Sequence, residues 1–155
     1  MIITTMREGV AALIVQQQMI LLGKRSAERA FYPSVWDVFG GHVEPDESYE
    51  QALQRELYEE LGITPIRWEF LTTLAEPDPD QYGPGQYRFY LVTAWSGTPR
   101  NRQPHEHARI QWFALDQAMH LDLAHPAYAG LFAAALSRFI NEGSGHRLVV
   151  LFDGT

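Results

Sequence analysis

The sequence predicts an α/β or α+β fold with a mixed β-sheet, because short apolar runs typical of strands alternate along the chain with two amphipathic helical patterns. The length of 155 residues is close to that of one domain, and no repeat, low-complexity segment or linker divides the chain. Hydrophobic residues make up 46% and charged residues 20%, a balance typical of globular proteins. We therefore expect residues 1–155 to form a single domain.

Composition excludes several classes of protein. The chain has no cysteine, which rules out a disulfide scaffold, a thiolate zinc site, an iron–sulfur cluster and a cysteine nucleophile. Apolar stretches such as Ala129–Leu136 are far shorter than the roughly 20 residues of a membrane span, and residues 1–7 lack the pattern of a signal peptide. The net charge of −7, without any Lys/Arg-rich block, disfavours nucleic-acid binding. We expect a cytoplasmic protein with no membrane or nucleic-acid partner.

The N-terminal third reads as strands and turns. Two β-rich runs, Val10–Val15 and Met19–Leu22, flank three glutamines and predict a hairpin. The polar stretch Lys24–Pro33 predicts a loop with some helical turn. A short strand is expected over Trp36–Phe39, ended by the glycine pair at 40–41.

One helix is marked at both ends. Ser48 and Gln51 have the spacing of a capping box, in which each side chain satisfies a free backbone N–H of the first turn. Gly62 suits a left-handed C-terminal cap, and Pro65 prevents continuation. Between them an apolar residue recurs every fourth position. The pattern predicts a helix over Tyr49–Leu61 with one apolar stripe, formed by Tyr49, Leu53, Leu57 and Leu61.

The C-terminal half alternates strands and helices. A loop rich in Pro, Asp and Gly, Glu76–Gly85, separates two expected strands. The expected strands are Ile66–Leu74, Tyr87–Ala94 and Arg109–Ala114, and the expected helices are Asp116–His120 and Ala127–Ile140. Leu148–Phe152 predicts either a final strand or a loose tail.

Three glutamates of the central helix form an unusual cluster. Glu56, Glu59 and Glu60 lie at i, i+3 and i+4, so like charges repel near the helix C-terminus, where the helix dipole also disfavours anions. A solvated acidic face is the ordinary interpretation. However, Glu56 and Glu60 border the apolar stripe, where carboxylates are costly unless a cation binds them. Mg²⁺ and Mn²⁺ prefer such oxygen ligands.

Two neighbours of the cluster have both ordinary and functional interpretations. Arg55 could form a weak surface ion pair, or it could orient a metal-binding carboxylate. Gly41 could be a turn glycine, or it could let the backbone approach a phosphate or metal ion closely.

Together these residues resemble a known motif. Gly41, then five residues, Glu47, seven residues and Arg55-Glu56-Leu57-Tyr58-Glu59-Glu60-Leu61-Gly62-Ile63 match all nine fixed positions of the Nudix box. The resemblance implies an α/β/α sandwich with a mixed β-sheet and a catalytic loop–helix–loop. It also implies divalent-metal-dependent hydrolysis of a diphosphate linkage in a nucleoside diphosphate joined to another group. That substrate class includes nucleoside triphosphates (oxidised ones among them), ADP-ribose and nucleotide sugars.

The resemblance also implies roles for particular residues. Arg55 would hold a catalytic glutamate in place, with Glu47 as its structural partner. Glu106 resembles the acidic residue that the family often adds from a loop outside the box, as metal ligand or base. The general base stays open among Glu56, Glu59 and Glu106. The implied ligands of Mg²⁺ or Mn²⁺ are Gly41, Glu56, Glu59, Glu60 and Glu106.

Substrate contacts are less specific in the sequence. Arg25, Arg29 and Tyr32 precede the box and could reach phosphates, and Tyr82 lies in the Pro/Gly-rich loop, where a lid or selectivity role is expected. Phe31, Trp36 and Tyr87 are further aromatic candidates for stacking, although core packing is favoured for Trp36 and Phe39. His105 and His107 do not predict a zinc site, since no third nitrogen or sulfur ligand is evident. A homodimer is possible within this family.

Two alternative functions are also compatible with the resemblance to this family. The region from Arg25 to His42 is similar to isopentenyl-diphosphate isomerases, but those enzymes depend on a cysteine that this chain lacks. A nucleotide-sensing domain without catalysis is the second alternative, and such domains often lose box residues, whereas this chain has all of them.

Overall fold

The computed structural model describes residues 5–145, and its centre is a seven-stranded mixed sheet. The strands are β1 (Arg7–Gln16), β2 (Met19–Arg25), β3 (Trp36–Asp37), β4 (Phe39–His42), β5 (Thr64–Ala75), β6 (Gly85–Ser96) and β7 (His107–Ala114). The helices are α1 (Tyr49–Leu61), α2 (Pro79–Tyr82), α3 (Leu115–Ala118) and α4 (Tyr128–Gly145). The strand order is β3-β2-β1-β6-β5, with β4 paired to β1 and β7 paired to β2. Among the strand pairs within residues 5–145, only β1 and β6 run parallel.

Strand β1 lies at the centre and is buried on both faces, which explains its unbroken apolar sequence. Alternate side chains enter two separate cores. One core lies under α1 and receives Val10, Ala12 and Ile14; the other lies under α3 and α4 and receives Ala11, Leu13 and Val15.

The two long helices cover opposite faces of the sheet. Helix α1 inserts Leu53, Leu57 and Leu61 into the first core, while α4 inserts Phe132 and Ala135 into the second. The expected three-layer sandwich with a mixed sheet is confirmed. No helix of residues 5–145 is long and apolar enough to cross a membrane.

Most elements agree with the sequence prediction, and α1 agrees at both ends. Ser48 and Gln51 form the complete capping box, and Gly62 caps the C-terminus with φ of 73°. Short helix α3 and long helix α4 lie where helices were expected, and the strands are longer than predicted by one to three residues at most ends. The segment Leu148–Phe152 lies outside the described residues.

Three local predictions were wrong. Gly40 and Gly41 do not end a strand but lie within β4, because their backbone pairs with Ala11 and Val10 of β1. The stretch Lys24–Pro33 contains no helical turn, and its first two residues belong to β2, which pairs there with β7. The loop Glu76–Gly85 contains the unpredicted helix α2, capped by the Asp78 side chain and begun by Pro79.

Candidate active site

Helix α1 presents four polar side chains of the box to one end of the sheet, namely Arg55, Glu56, Glu59 and Glu60. Because Leu53, Leu57 and Leu61 are held in the core, the helix cannot rotate, and the residues between them keep fixed directions. Glu60 is buried at 5% exposure, Glu56 is partly buried, and Glu59 is exposed. Solvent exposure therefore increases from Glu60 through Glu56 to Glu59. Glu56 and Glu60 border the apolar stripe, as their positions in the sequence predicted.

Arg55 joins the helix to the loop before it. Its Nε donates to Glu47 Oε2 at 2.7 Å and its Nη2 to Glu47 Oε1 at 2.9 Å, a bidentate pair. Nη2 also donates to the His42 carbonyl, and Nη1 donates to Glu56 Oε1 at 2.9 Å and Glu59 Oε1 at 3.3 Å. Hydrogen bonds from Arg55 lower the pKa of Glu47 to about 2. The guanidinium thus lies between the structural carboxylate and two of the clustered ones.

The carboxylates of Glu56 and Glu60 face a common space. Glu60 Oε1 accepts from the Gly40 N–H at 3.0 Å, while burial raises its pKa well above the usual value and repulsion from Glu56 adds to that rise. Burial also raises the pKa of Glu56, with Arg55 opposing the rise and repulsion from Glu59 and Glu106 reinforcing it. A cation bound at this place would offset the free-energy cost of burying the two charged carboxylates and would reduce the repulsion between them.

The backbone of β4 lies directly against Glu56. A Cβ atom built on Gly41 would stand 2.4 Å from both Cδ and Oε1 of Glu56. No real Cβ tolerates such a contact, so any side chain at position 41 would displace the carboxylate. Gly41 lies within β4 and not in a turn, and the group that its backbone approaches closely in this structure is the Glu56 carboxylate.

Glu106 reaches the same space from the loop before β7. It directly precedes β7, lines the same cavity as the box glutamates, and accepts from Arg29 Nη1 at 3.3 Å. Its neighbours differ: His105 is exposed, while His107 is buried and begins β7. These two histidines do not converge on a common ligand position.

A cavity of about 660 Å³ extends from the carboxylates across the sheet. Of the residues suggested for substrate contact, Arg25, Arg29 and Tyr32 line it and Tyr82 does not. The guanidinium of Arg25 is used inside the protein: it bonds the carbonyls of Phe31 and Tyr32 and pairs with Asp37 at 3.0 Å. Arg25 thus shapes the loop after β2.

The loop after β2 meets the loop after β5 at the cavity. Tyr32, held at φ of +50°, donates its hydroxyl to the buried carboxylate of Glu76, and burial together with this bond raises the pKa of Tyr32 well above its usual value. Tyr82 packs its ring 4.7 Å from Phe31 and 4.6 Å from Tyr32. Tyr82 therefore supports the cavity wall from behind.

Sequence reasoning missed several cavity residues. Asp37 is partly buried, and this burial raises its pKa despite Arg25 and the hydroxyl of Tyr128. A charged residue inside the apolar run Trp36–Phe39 was the available signal for it. Others have no local signal, since their position follows from distant pairing; these are Arg7, Glu76, His125 and Tyr128.

The donor chemistry fits a hard divalent cation. Carboxylate oxygens and the Gly41 backbone are the groups at this place, and the chain has no cysteine. As their side chains stand, no three His, Asp or Glu residues within 5–145 form a ready metal-binding group. Arg55 Nη1 bonds both Glu56 and Glu59, and a cation at this place would compete with it for these carboxylates.

The fold and this arrangement define the loop–helix–loop of a Nudix domain. The NUDIX domain family matches residues 5–135, and the chain belongs to this family as a Nudix pyrophosphohydrolase related to MutT.

Known relatives cover most of the chain. It is 37% identical over 137 residues to a CTP pyrophosphohydrolase of Escherichia coli K12, covering 85% of this chain and 93% of the relative. The nucleoside triphosphatase NudI of the same strain is 32% identical over 131 residues, covering 76% of this chain and 88% of NudI. A MutT NUDIX hydrolase from Burkholderia pseudomallei superposes with a TM-score of 0.68 at 38% identity, covering 72% of this chain and 85% of that one.

Proposed function

We propose that this protein hydrolyses the diphosphate linkage of nucleoside triphosphates, with CTP as the first substrate to test, using Mg²⁺ or Mn²⁺. The proposed cation ligands are the Gly41 backbone and the carboxylates of Glu56, Glu59, Glu60 and Glu106. Support for the substrate class comes from the printed activities of the relatives, a CTP pyrophosphohydrolase and a nucleoside triphosphatase.

One observation carries the proposal: two buried or half-buried glutamates share a space with the Gly41 backbone at one end of a cavity large enough for a nucleotide. A stable protein gains nothing from placing such carboxylates together without a cation, since each is costly to bury when charged. The arrangement is therefore explained by binding.

Different residues of the chain have different roles in the proposed reaction. When bound, the cation would neutralise diphosphate oxygens and lower the pKa of a water molecule. Arg55 fixes the direction of Glu56 and Glu59, while Gly40 fixes that of Glu60. One of Glu56, Glu59 and Glu106 accepts the proton of the attacking water. Arg29, close to Glu106, is placed to meet phosphate oxygens, and the aromatic wall around Tyr32 is placed to contact the base.

The test is turnover of purified protein with MgCl₂ and a panel of nucleoside triphosphates, ADP-ribose and nucleotide sugars. We expect a nucleoside monophosphate and pyrophosphate from the triphosphates, no reaction with EDTA, and recovery when Mn²⁺ or Mg²⁺ is returned. Binding without turnover would favour the sensing alternative. Cleavage confined to ADP-ribose or nucleotide sugars would overturn the substrate class while leaving the site assignment in place.

Calorimetry of the cation separates the site from the substrate. Mg²⁺ or Mn²⁺ is titrated into the protein with a non-hydrolysable nucleotide present, and into the double variant Glu56→Gln/Glu60→Gln. We expect uptake by the native protein and much weaker uptake by the variant. Equal uptake by both proteins would contradict the proposed ligands.

A further inference from the structure

Strand β5 ends the sheet and exposes apolar side chains. It is the last strand in the order β3-β2-β1-β6-β5, and among residues 5–145 no strand pairs with its outer edge. Ile66 is 63% exposed and Phe70 is 46% exposed, two of the few large apolar residues so exposed in this part of the chain. Long edge strands with exposed apolar residues pair readily with another strand. The edge of β5 therefore needs an explanation.

The side chains of β5 alternate between the two faces from Trp68 to Phe70, where the pairing with β6 is regular. Phe70 packs against Tyr90 and under the Arg88 guanidinium, on the face that α1 covers. Glu69 accepts from Arg138 of α4 at 2.7 Å, on the opposite face. Extended strand geometry then places Trp68 on the face of Phe70 and Arg67 on the face of Glu69.

The sequence of this segment is complementary to itself when reversed. Residues 66–70 read Ile-Arg-Trp-Glu-Phe. If two copies pair antiparallel about Trp68, then Arg67 lies opposite Glu69 of the other copy, twice, and Ile66 lies opposite Phe70, twice. Cross-strand pairs of opposite charge and of large apolar residues are the stabilising kinds.

We propose that the outer edge of β5 binds a second copy of this chain, forming a two-fold symmetric dimer with a continuous sheet across Trp68. Antiparallel pairing of identical strands creates that two-fold axis, and one patch then serves both copies. Ile66 and Leu71 have no partner on β6, and the register with β6 also shifts between Arg67 and Trp68, so regular pairing is confined to a few residues around Trp68 and the dimer is weak and concentration-dependent.

The charge pattern provides a decisive test by sedimentation of the full chain over a range of concentrations. Arg67→Glu places two glutamates opposite each other at both contacts, and Glu69→Arg does the same with two arginines. We expect the native protein to shift from monomer to dimer with concentration and each variant to remain monomeric. An equimolar mixture of the two variants restores opposite charges at both contacts and should dimerise.

Controls separate this effect from misfolding and from net charge. Arg109→Glu, at an exposed position of β7 at the other end of the sheet, makes the same charge change and should dimerise like the native protein. Hydrolysis per subunit should be unchanged in Arg67→Glu, because that side chain does not line the cavity. A native protein that stays monomeric, or a mixture that does, overturns the proposal without affecting the proposed function.

Cross-linking gives a second measurement that does not depend on charge. The chain lacks cysteine, so Arg67→Cys and Glu69→Cys each add a single thiol at an exposed position. In the proposed register these thiols lie opposite each other only when the two variants are mixed. We expect a disulfide-linked dimer from the mixture and little from either variant alone. Equal cross-linking in all three samples would overturn the register.

Discussion

The three clustered glutamates of α1, Glu56, Glu59 and Glu60, differ in their surroundings although they lie within five positions. Glu60 is bound by a backbone N–H and nearly inaccessible, and the Glu56 side chain is 15% exposed beside Arg55. The Glu59 side chain is 45% exposed and makes longer contacts with Arg55, at 3.3 and 3.5 Å. Glu59 is therefore the carboxylate that can move at least cost, and the other two are held in place.

Glu59→Gln tests whether this carboxylate takes part in the reaction. The amide keeps the size of the side chain but removes charge and basicity, so we expect kcat to fall by about 10²-fold or more while the melting temperature stays within about 2 °C. Glu50→Gln, in the first turn of the same helix, is the matched control and should keep native turnover. Near-native turnover of Glu59→Gln at saturating Mg²⁺ would contradict the site.

Gly41→Ala tests the contact between the backbone of β4 and Glu56. The added methyl would stand 2.4 Å from the carboxylate, so Glu56 must turn away, and we expect at least a tenfold loss of kcat/KM and a higher Mg²⁺ requirement. Gly130→Ala is the control, because a Cβ there meets nothing within 4 Å in α4; it should stabilise the fold by about 0.5–1 kcal/mol. Native activity of Gly41→Ala would show that Glu56 need not occupy its present position.

At the scale of elements, α1 and the loop before it act as one unit through Arg55. The guanidinium bonds Glu47 and the His42 carbonyl outside the helix and Glu56 within it. Burial of the apolar stripe fixes the helix on the sheet, and this bridge fixes the loop on the helix. Loss of the bridge should therefore disturb stability and catalysis together.

The low pKa of Glu47 makes this bridge sensitive to acid. Its pKa of about 2 in the folded protein lies below the usual 4.5, so the bridge contributes its full stability above about pH 5 and loses it as the pH falls toward 2. Glu47→Gln should cost about 2 kcal/mol at neutral pH, and its difference from the native protein should shrink as the pH falls. Denaturant unfolding from about pH 3 to 7 measures this. A difference that does not change with pH would contradict the assignment.

Local signals explain which elements the sequence could predict. The bounds of α1 follow from Ser48 and Gly62, whose effects act within a few residues. The glycines at 40–41 were misread as a strand end, because their pairing with β1 joins positions about thirty apart. The box residues were found by their spacing, whereas Glu76 and Tyr128 enter the cavity through tertiary packing that no local pattern records.

At the scale of the whole molecule, the cavity wall is assembled from distant parts of the chain. Arg7 of β1 bonds the carbonyls of Tyr82 and Gly83 and the hydroxyl of Tyr87, and lies 3.6 Å from Glu76. Glu76 in turn holds Tyr32 of the loop after β2. These contacts close one side of the cavity by joining segments that only the sheet brings together. We infer that they govern substrate affinity more than the chemical step.

Tyr32→Phe tests that inference by removing one hydroxyl. The ring and its contact with Tyr82 remain. Glu76 loses its hydrogen bond from Tyr32 but keeps the one from the Asp78 N–H and its ion pair with Arg7, so we expect a loss of about 1–3 kcal/mol in unfolding free energy. The loop after β2 would then be held less firmly, which should raise KM several-fold and change kcat little, as steady-state kinetics would measure. Tyr58→Phe, on the exposed face of α1, removes a hydroxyl outside the cavity and should leave both constants unchanged. If Tyr32→Phe lowers kcat at an unchanged KM, the hydroxyl acts in the chemical step and the assignment to affinity is wrong.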